Sequence, residues 1–175
     1  MLNKNKKKGF SLIELIVAIF FVSVALPGIL SAISKAMAET EGSTLRLRAI
    51  YLAQEGIEIV RNIRDTKWLN GATSTALEAS GNYEADYKSV SLTPCPFPCS
   101  ASQLRFLKID NNGFYQYSTG AETPFKRKIT IDKTDDLDGD GETDRERVTV
   151  EVFWTKKGTH SVKVQEYLYN RWGYY

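Results

Sequence analysis

One acidic segment has the residue types and the spacing of a cation site. It reads Asp136-Leu137-Asp138-Gly139-Asp140-Gly141-Glu142-Thr143-Asp144. Calcium takes about six to eight oxygen ligands, and alternating carboxylates in a tight loop can supply them. The predicted ligands are the side chains of Asp136, Asp138, Asp140 and Asp144 and the main-chain carbonyl of Glu142. The segment therefore predicts a structural calcium site.

The same segment resembles the first nine positions of EF-hand-type loops. It departs from them at the twelfth position, where Arg147 replaces the bidentate glutamate, so Glu146 or Asp135 would have to supply that ligand. Strand patterns flank the segment, whereas helices flank a true EF-hand. A solvated acidic turn remains the alternative, because Asp and Gly favour turns. Mutual repulsion of crowded carboxylates favours the calcium site.

A second charged group of interest is Glu14, which lies inside the apolar run from Phe10 to Ile33. As a helix this run would be about 36 Å long, enough to cross a hydrocarbon core of about 30 Å. A carboxylate costs about 2.5–3.5 kcal/mol at the bilayer centre, so its presence suggests a function and a partner. The alternative is that Glu14 reaches the interface or stays protonated.

A short basic leader precedes this apolar run. Its charges are Lys4, Lys6, Lys7 and Lys8. Basic residues before a first span hold that end in the cytoplasm, so the bulk of the chain is expected outside. A secretory signal peptide would have a shorter apolar region with its cleavage site after it, and this run is too long.

The segment from Lys6 to Leu15, KKKGFSLIEL, resembles the processing site of bacterial type IV prepilins and type II secretion pseudopilins. In that family a membrane protease cuts after the glycine, and the new N-terminal residue is N-methylated. The resemblance implies cleavage between Gly9 and Phe10, N-methylation of Phe10 and an assembly role for Glu14. The amine on Phe10 would be neutralised by Glu14 of an adjacent subunit, so neither charge is left bare in a dry core.

Composition fits one globular domain and an anchor, since the chain has 175 residues. The net charge is +2, and removal of four leader lysines leaves 19 basic against 21 acidic residues, or −2. This charge does not favour nucleic-acid binding. Cys95 and Cys99 lie in a proline-rich segment and are predicted to form a small local disulfide, with free thiols as the alternative. A zinc site would need more ligands, and the only histidine is the distant His160.

A helical pattern continues beyond the apolar run. Pro27-Gly28 lies inside that run, and a kink or local melting is expected there because proline removes a helical donor. Glu58 and Arg61 have the spacing of an intrahelical ion pair. One helix is predicted from about Phe10 to about Asp65, packed on a sheet in its second half rather than in a coiled coil. Its buried face should contain Leu45, Ala49, Leu52, Gly56, Ile59 and Ile63.

Residues 66–103 have no sustained period, so they are predicted to form a long surface loop with short strands or turns. Strand patterns follow at 104–109, 114–117, 125–131, 148–154 and 161–169. Turn signals are Asn111-Asn112-Gly113 and Lys156-Lys157-Gly158. These patterns predict a twisted antiparallel sheet of about four or five strands. A helix followed by such a sheet is an α+β fold, which the resemblance to pilins also implies.

The predicted organisation has four parts. They are a cleaved basic leader (1–9), a transmembrane and assembly helix (10–34), an amphipathic helix (35–65) and a β-rich head (66–175).

No catalytic constellation is present, and His160 is predicted to be an exposed strand residue rather than a general base. The C-terminal aromatics are expected to cover a sheet edge or a subunit interface, with an adhesive patch as the alternative. They are Tyr167, Tyr169, Trp172, Tyr174 and Tyr175.

These observations predict a structural subunit of a type IV pilus or a type II secretion pseudopilus, and not an enzyme. Its expected partners are other subunits, a prepilin peptidase, the inner-membrane assembly machinery and, before assembly, lipid. It would span the inner membrane with the head outside and then enter a filament. The alternative is a membrane-anchored extracellular adhesive or binding module with a calcium-stabilised head.

Overall fold

The structure is a computed structural model, and it describes residues 9, 11–71, 77–136 and 144–169. Two compact units divide the chain: the N-terminal unit, Met1–Ser43, and the C-terminal unit, Thr44–Tyr175. The described residues form one helix, α1 (Leu12–Leu69), and seven strands. The strands are β1 (Gly81–Glu84), β2 (Thr93–Pro94), β3 (Phe106–Ile109), β4 (Tyr115–Gln116), β5 (Ala121–Asp135), β6 (Arg145–Thr155) and β7 (Thr159–Tyr169).

Helix α1 is continuous and ends slightly later than predicted. Pro27 lies inside it and Gly28 is also helical, so the local melting expected at this position is not observed. A proline removes only one main-chain donor, which leaves the other hydrogen bonds of the turn in place. The helix ends at Leu69 because Gly71 takes a left-handed φ of 86° and its N–H donates to the Trp68 carbonyl at 2.9 Å.

In the C-terminal unit, α1 packs on the sheet through the predicted face. Ala49, Leu52, Gly56, Ile59 and Ile63 are buried, Leu45 is partly buried, and the stripe is wider than predicted because Ala53, Ile57 and Val60 are also buried. Glycine is required at the closest approach. A Cβ added to Gly56 would lie 2.7 Å from Cγ1 of Val150. The short helix-to-sheet distance at this point therefore depends on the missing side chain.

The antiparallel sheet is built around β5, the longest strand. β6 pairs along most of one side of β5, and β7 pairs with β6. On the other side, β3 pairs with the first half of β5 and β1 with the second half. β4 extends β3 and β2 extends β1. The α+β architecture with a long N-terminal helix is confirmed, whereas the expected number of strands was too low, since the described residues alone form seven.

Strict alternation separates the two faces of β5 and β6. Buried side chains on the helix-facing side are Phe125, Ile129, Ile131, Val148, Val150, Val152 and Trp154. The four β6 residues of this list, Val148, Val150, Val152 and Trp154, are those predicted to share one face. The period of two explains this arrangement because successive strand residues point to opposite faces. Arg127 occupies the same inward row of β5 and is fully buried.

The predicted surface loop of residues 66–103 is more buried than expected in its described part from residue 77 onwards, and the short strands that the prediction allowed do form there. Residues 77–104 contribute β1 and β2 and several core residues: Leu77, Tyr83, Ala85, Leu92, Cys99 and Leu104. Strands of two to four residues are too short to produce a periodic signal in the sequence. The burial of this segment therefore depends on contacts with β5, which lies far along the chain.

Candidate functional site

The predicted processing point lies immediately before α1. Gly9 and Ser11 are exposed, while Phe10 and the four leader lysines lie outside the described residues. The Leu15 N–H donates to the Ser11 carbonyl at 3.2 Å, so Ser11 is the residue that caps the helix. Ser11 and Glu14 also have the spacing of a capping box, a signal that the sequence reasoning did not use. A cut after Gly9 would leave a helix that begins almost at the new N-terminus.

Glu14 lies in the first turn of α1 and is exposed. A carboxylate there interacts favourably with the partial positive charge of the helix N-terminus. Cleavage after Gly9 would add a full positive charge on Phe10, four residues before Glu14 in the sequence. Pairing of Glu14 with this predicted amine, in the same chain or in a neighbour, stays a prediction.

The apolar surface that follows Glu14 is uncovered in the isolated chain. Every residue from Leu12 to Thr40 is exposed, and the large apolar side chains between Leu12 and Met37 are 45–76% exposed. An 18-residue window of α1 has a mean hydropathy of 2.5 and is 0% buried. By length and composition this segment can cross a membrane. A patch of this size on a protein surface marks a contact with lipid or protein.

Two hydroxyl side chains in this part of α1 form hydrogen bonds with the helix backbone. The Ser23 hydroxyl donates to the Phe20 carbonyl at 2.8 Å, and the Thr40 hydroxyl donates to the Ala36 carbonyl at 2.9 Å. Such bonds remove the penalty for a hydroxyl without a partner in an apolar environment. Glu14 differs from these hydroxyl residues because it carries a charge, and it is the only ionisable residue in the sequence between Leu12 and Ser34.

Comparison with known families decides how this region is interpreted. Residues 4–26 match the family described as the prokaryotic N-terminal methylation motif. The chain carries the prepilin-type methylation signature. No curated protein and no solved structure shows significant similarity to the chain. The prepilin motif covers the leader and the first part of α1, so it supports the processed, membrane-capable N-terminus and is silent about the C-terminal unit.

The prepilin motif carries coarse functional information. It indicates a structural protein that interacts with pilin-type subunits and with a prepilin peptidase. Together with the apolar helix it fits a protein that is anchored in the inner membrane and later assembled into a filament. The roles of Gly9, Phe10 and Glu14 at individual positions stay predictions.

The acidic segment connects β5 to β6. Asp136 follows β5, Asp144 precedes β6, and Asp135 and Arg145 are register partners, so the two ends of the segment are brought together. Asp138, Asp140 and Glu142 lie outside the described residues. Within the described ranges, no group of three or more His, Cys, Asp or Glu residues could hold a metal ion. Calcium binding stays a prediction.

Glu146, a candidate replacement for the twelfth ligand, and Arg147, which occupies the twelfth position, both have other partners. The buried Glu146 carboxylate lies 3.1 Å from Nζ of Lys133, and Arg147 donates to the Asp132 carboxylate. Burial raises the pKa of Glu146, and Lys133 opposes that shift. An ion ligated by Glu146 would compete with Lys133 for this carboxylate. The role of Glu146 as a replacement ligand stays a prediction.

Arg127 is a buried charge that the sequence reasoning did not single out. Its guanidinium donates to the Leu52 carbonyl at 3.0 Å and to the Ala85 carbonyl at 2.7 Å. The Glu55 carboxylate lies 3.6 Å away. Burial raises the pKa of Glu55, and the charge of Arg127 opposes the shift. Arg127 thus ties α1 to the segment after β1, and its inward position was readable from the alternation of β5.

A second polar cluster anchors the irregular segment around β1. The buried Glu84 carboxylate accepts hydrogen bonds from the Arg105 main-chain N–H at 2.8 Å and from its Nε at 2.7 Å. Asp86 accepts the Tyr117 N–H at 2.9 Å. Burial raises the pKa of Tyr117 to about 12. These bonds satisfy buried polar groups and hold a segment that has little regular structure of its own.

The remaining predicted positions are placed as follows. Cys95 and Cys99 form a disulfide with their Cα atoms 5.5 Å apart, and Phe97 in the enclosed loop is 96% exposed. His160 is exposed on β7 and stacks on Trp154, with ring centroids 5.6 Å apart. Tyr167 and Tyr169 lie on β7, whereas Trp172, Tyr174 and Tyr175 lie outside the described residues.

Proposed function

We propose that the chain is a structural subunit, of the minor pilin or pseudopilin type, in a type IV pilus or type II secretion filament. The observation that carries this proposal is the prepilin motif at residues 4–26, which continues into the N-terminal part of α1, where every residue from Leu12 to Thr40 is exposed. The chain is stored in the inner membrane, loses its leader and leaves the bilayer as its helix packs with those of other subunits. The prepilin peptidase removes the leader, and the other steps are transfer between apolar environments and association, so none requires a catalytic group in this chain.

The pairing of charges explains how a helix with a carboxylate can make this transfer. Before assembly, Glu14 lies near the end of the apolar run, where the cost of the charge is lower than at the bilayer centre. In a filament, the amine of Phe10 and Glu14 of an adjacent subunit neutralise each other in an apolar core. The pair would then favour one axial position between subunits.

The test is the mass of the protein purified from filaments or membranes of its native host. We expect loss of residues 1–9 and one added methyl group on Phe10. Gly9→Leu should leave an uncut precursor in the membrane, because the glycine gives the protease access to the backbone. Gly9→Ala is the graded control and should retain more processing. Assembled material that keeps the lysine leader would contradict the proposal.

A membrane-anchored binding module is the second candidate function. It would share the apolar helix and the folded C-terminal unit, but it would not need a cleavable leader or Glu14. Co-purification of the processed chain with other filament subunits, in a defined stoichiometry, favours the filament. Processed chain found only as isolated protein in the membrane favours the binding module.

We also propose that the acidic segment holds a structural calcium ion. The pattern of alternating carboxylates supports this, as does the pairing of Asp135 with Arg145, which brings both ends of the segment together. Binding to the folded state alone would stabilise the protein by about 2.7 kcal/mol when calcium is a hundredfold above its Kd. Magnesium should substitute poorly, since it requires a smaller octahedral shell.

This site can be tested on the mature chain in detergent by thermal unfolding with calcium and with chelator. We expect a melting temperature several degrees higher in calcium, by the stabilisation given above. Asp138→Ala and Asp140→Ala should remove the response, whereas Glu122→Ala, an exposed acidic residue on β5, should keep it. Equal melting temperatures in calcium and in chelator would return the segment to a plain acidic turn.

A further inference from the structure

A groove of about 610 Å³ lies within the C-terminal unit, between the last turns of α1 and the end of β7. Helix α1 contributes Arg61, Arg64, Asp65, Trp68 and Leu69, and β7 contributes residues 166–169. Volumes of about 300–1,000 Å³ are typical of small-molecule sites. The groove is remote in sequence from the prepilin motif, so the filament function leaves it unexplained.

The charged groups of the groove neutralise one another. Arg61 bonds the Glu58 carboxylate at 2.5 Å and also the Glu166 carboxylate, and Arg64 lies 2.9 Å from the Asp65 carboxylate. A ligand with a formal charge would have to compete with these ion pairs. A neutral ligand with hydroxyl groups can instead donate to the carboxylates and accept from the guanidinium groups without breaking them.

Aromatic side chains supply flat apolar surface beside these polar groups. The Arg64 guanidinium lies 4.4 Å from the centre of the Trp68 ring, and this stacking holds both planes in place. Tyr169 is 55% exposed and offers an open ring. In addition, the Trp68 Nε1–H is buried and has no acceptor among the described residues. This buried N–H therefore reports changes in packing around the Trp68 ring when a ligand binds beside it.

We propose that this groove binds a neutral saccharide. A sugar ring has an apolar C–H face that stacks on aromatic rings and a rim of hydroxyls that both donate and accept. The groove offers both complements: the rings of Trp68 and Tyr169, and the paired guanidinium and carboxylate groups. This binding function is additional to the filament function, and either one can hold without the other.

A peptide added to β7 is the competing occupant, because β7 pairs only with β6 among the described strands. The groove, however, includes only Glu166–Tyr169 of an eleven-residue strand. A peptide confined to it would form few main-chain hydrogen bonds, and these are the main source of affinity in strand addition. The geometry therefore favours a compact, polyhydroxylated ligand.

The test is NMR of the full mature chain in a phosphocholine detergent, which avoids sugar headgroups. The probes are cellotetraose, maltotetraose and chitotetraose, with a sialylated tetrasaccharide and a neutral tetrapeptide as comparisons. We expect at least one neutral probe to shift the Trp68 indole N–H signal saturably, and this shift should persist at high salt because no ion pair is formed. Trp68→Phe identifies the signal by its loss.

Variants then locate the site by calorimetry. Tyr169→Ala and Trp68→Phe should each weaken binding by about fivefold or more, which corresponds to about 1 kcal/mol. Tyr51→Ala is the matched control, since Tyr51 is a similarly exposed ring on α1 that does not line the groove. Unchanged melting temperatures would show that the variants fold.

Three results would overturn the proposal. The first is the absence of a shift with any neutral probe at about 10 mM, which is well above a millimolar Kd. The second is a response only to the charged sugar or the tetrapeptide, and the third is an equal loss of binding affinity with Tyr51→Ala. Filament assembly is measured separately in the same variants. Normal assembly with lost saccharide binding, or the reverse, distinguishes failure of this proposal from failure of the filament function.

Discussion

In the N-terminal unit, the apolar side chains of Phe20 and Leu30 are 61% and 63% exposed, whereas in the C-terminal unit Leu52 and Val150 are 3% and 0% exposed. Both sets include residues of the same continuous helix, α1. Burying a side chain of this size contributes about 1.5–3 kcal/mol. The C-terminal unit obtains this free energy from its own sheet, while the apolar side chains of the N-terminal unit are uncovered among the described residues, and we expect lipid or other chains to cover them. Mutations in the two units should therefore affect different measurements.

The largest effect is expected from Glu14→Ala. Membrane insertion and cleavage should proceed, since an intramembrane acid is removed. Incorporation into filaments should fall by about a hundredfold or more, because an unpaired charge in an apolar core costs several kcal/mol. The yield of sheared filaments measures this, and thermal unfolding of the C-terminal unit should not change. Normal filament yield would show that Glu14 has no pairing role.

Arg127→Ala should have the opposite profile. Loss of the guanidinium leaves the Glu55 carboxylate and the Ala85 carbonyl without their partner and opens a cavity, so the free energy of unfolding should fall by about 3–5 kcal/mol. Denaturant unfolding of the mature chain measures this loss. Arg127→Met should be less damaging because it fills the space, and the exposed Arg48→Ala is the control. If Arg127→Ala unfolds with the same free energy as the wild type, the interactions of Arg127 do not stabilise the core.

Two helix glycines provide the most direct comparison of the units. A Cβ at Gly56 would lie 2.7 Å from Val150, whereas a Cβ at Gly28 has no atom within 4 Å. Gly56→Ala should destabilise by about 1–3 kcal/mol through overpacking. Gly28→Ala should leave unfolding of the C-terminal unit unchanged, and it removes a helix-interior glycine. Equal melting temperatures for the two variants would mean that the sheet retreats from Gly56 at little cost.

The smallest effect concerns pH and is confined to the C-terminal unit. Burial raises the pKa of Glu55 and Glu146 above the ordinary value of 4.5, against the opposing charges of Arg127 and Lys133. The folded state then binds protons more tightly than the unfolded state, so stability should rise slightly as pH falls from neutral towards 4.5. Hydrogen bonds from the Phe114 and Asn112 N–H groups lower the pKa of Asp110 from its ordinary value of 3.8. Titration of Asp110 therefore lies below this pH range and does not affect the predicted rise in stability.

Melting temperatures between neutral pH and pH 5 measure this effect in the mature chain. Glu55→Gln combined with Glu146→Gln should flatten the rise. Glu39→Gln, which changes an exposed carboxylate of the N-terminal unit, should leave it unchanged. A rise of the same slope in the double variant would assign the pH dependence to other groups.

Much of the fold could be predicted because its signals are local. The buried face of α1, the alternation of β6 and the turn at Asn111-Asn112-Gly113 each follow from a few neighbouring residues, and Gly113 has the left-handed φ of 88° that such a turn requires. The short strands β1 and β2 left no such signal. Arg127 shows the limit: alternation placed it inward, but no sequence pattern shows which carbonyls accept its hydrogen bonds.

The sequence by itself determined the prepilin motif in the N-terminal region of this protein. A basic leader, Gly9-Phe10, Glu14 and an unbroken apolar run are contiguous, so their spacing alone carries the prepilin motif. Only the tertiary structure decided that the irregular segment after α1 enters the core, that Glu84 pairs with Arg105, and that Trp68 and Tyr169 border one groove. The physical reason is distance along the chain. Contacts between residues about a hundred positions apart, such as Arg61 and Glu166, depend on the packing of the helix on the sheet, which no local pattern encodes.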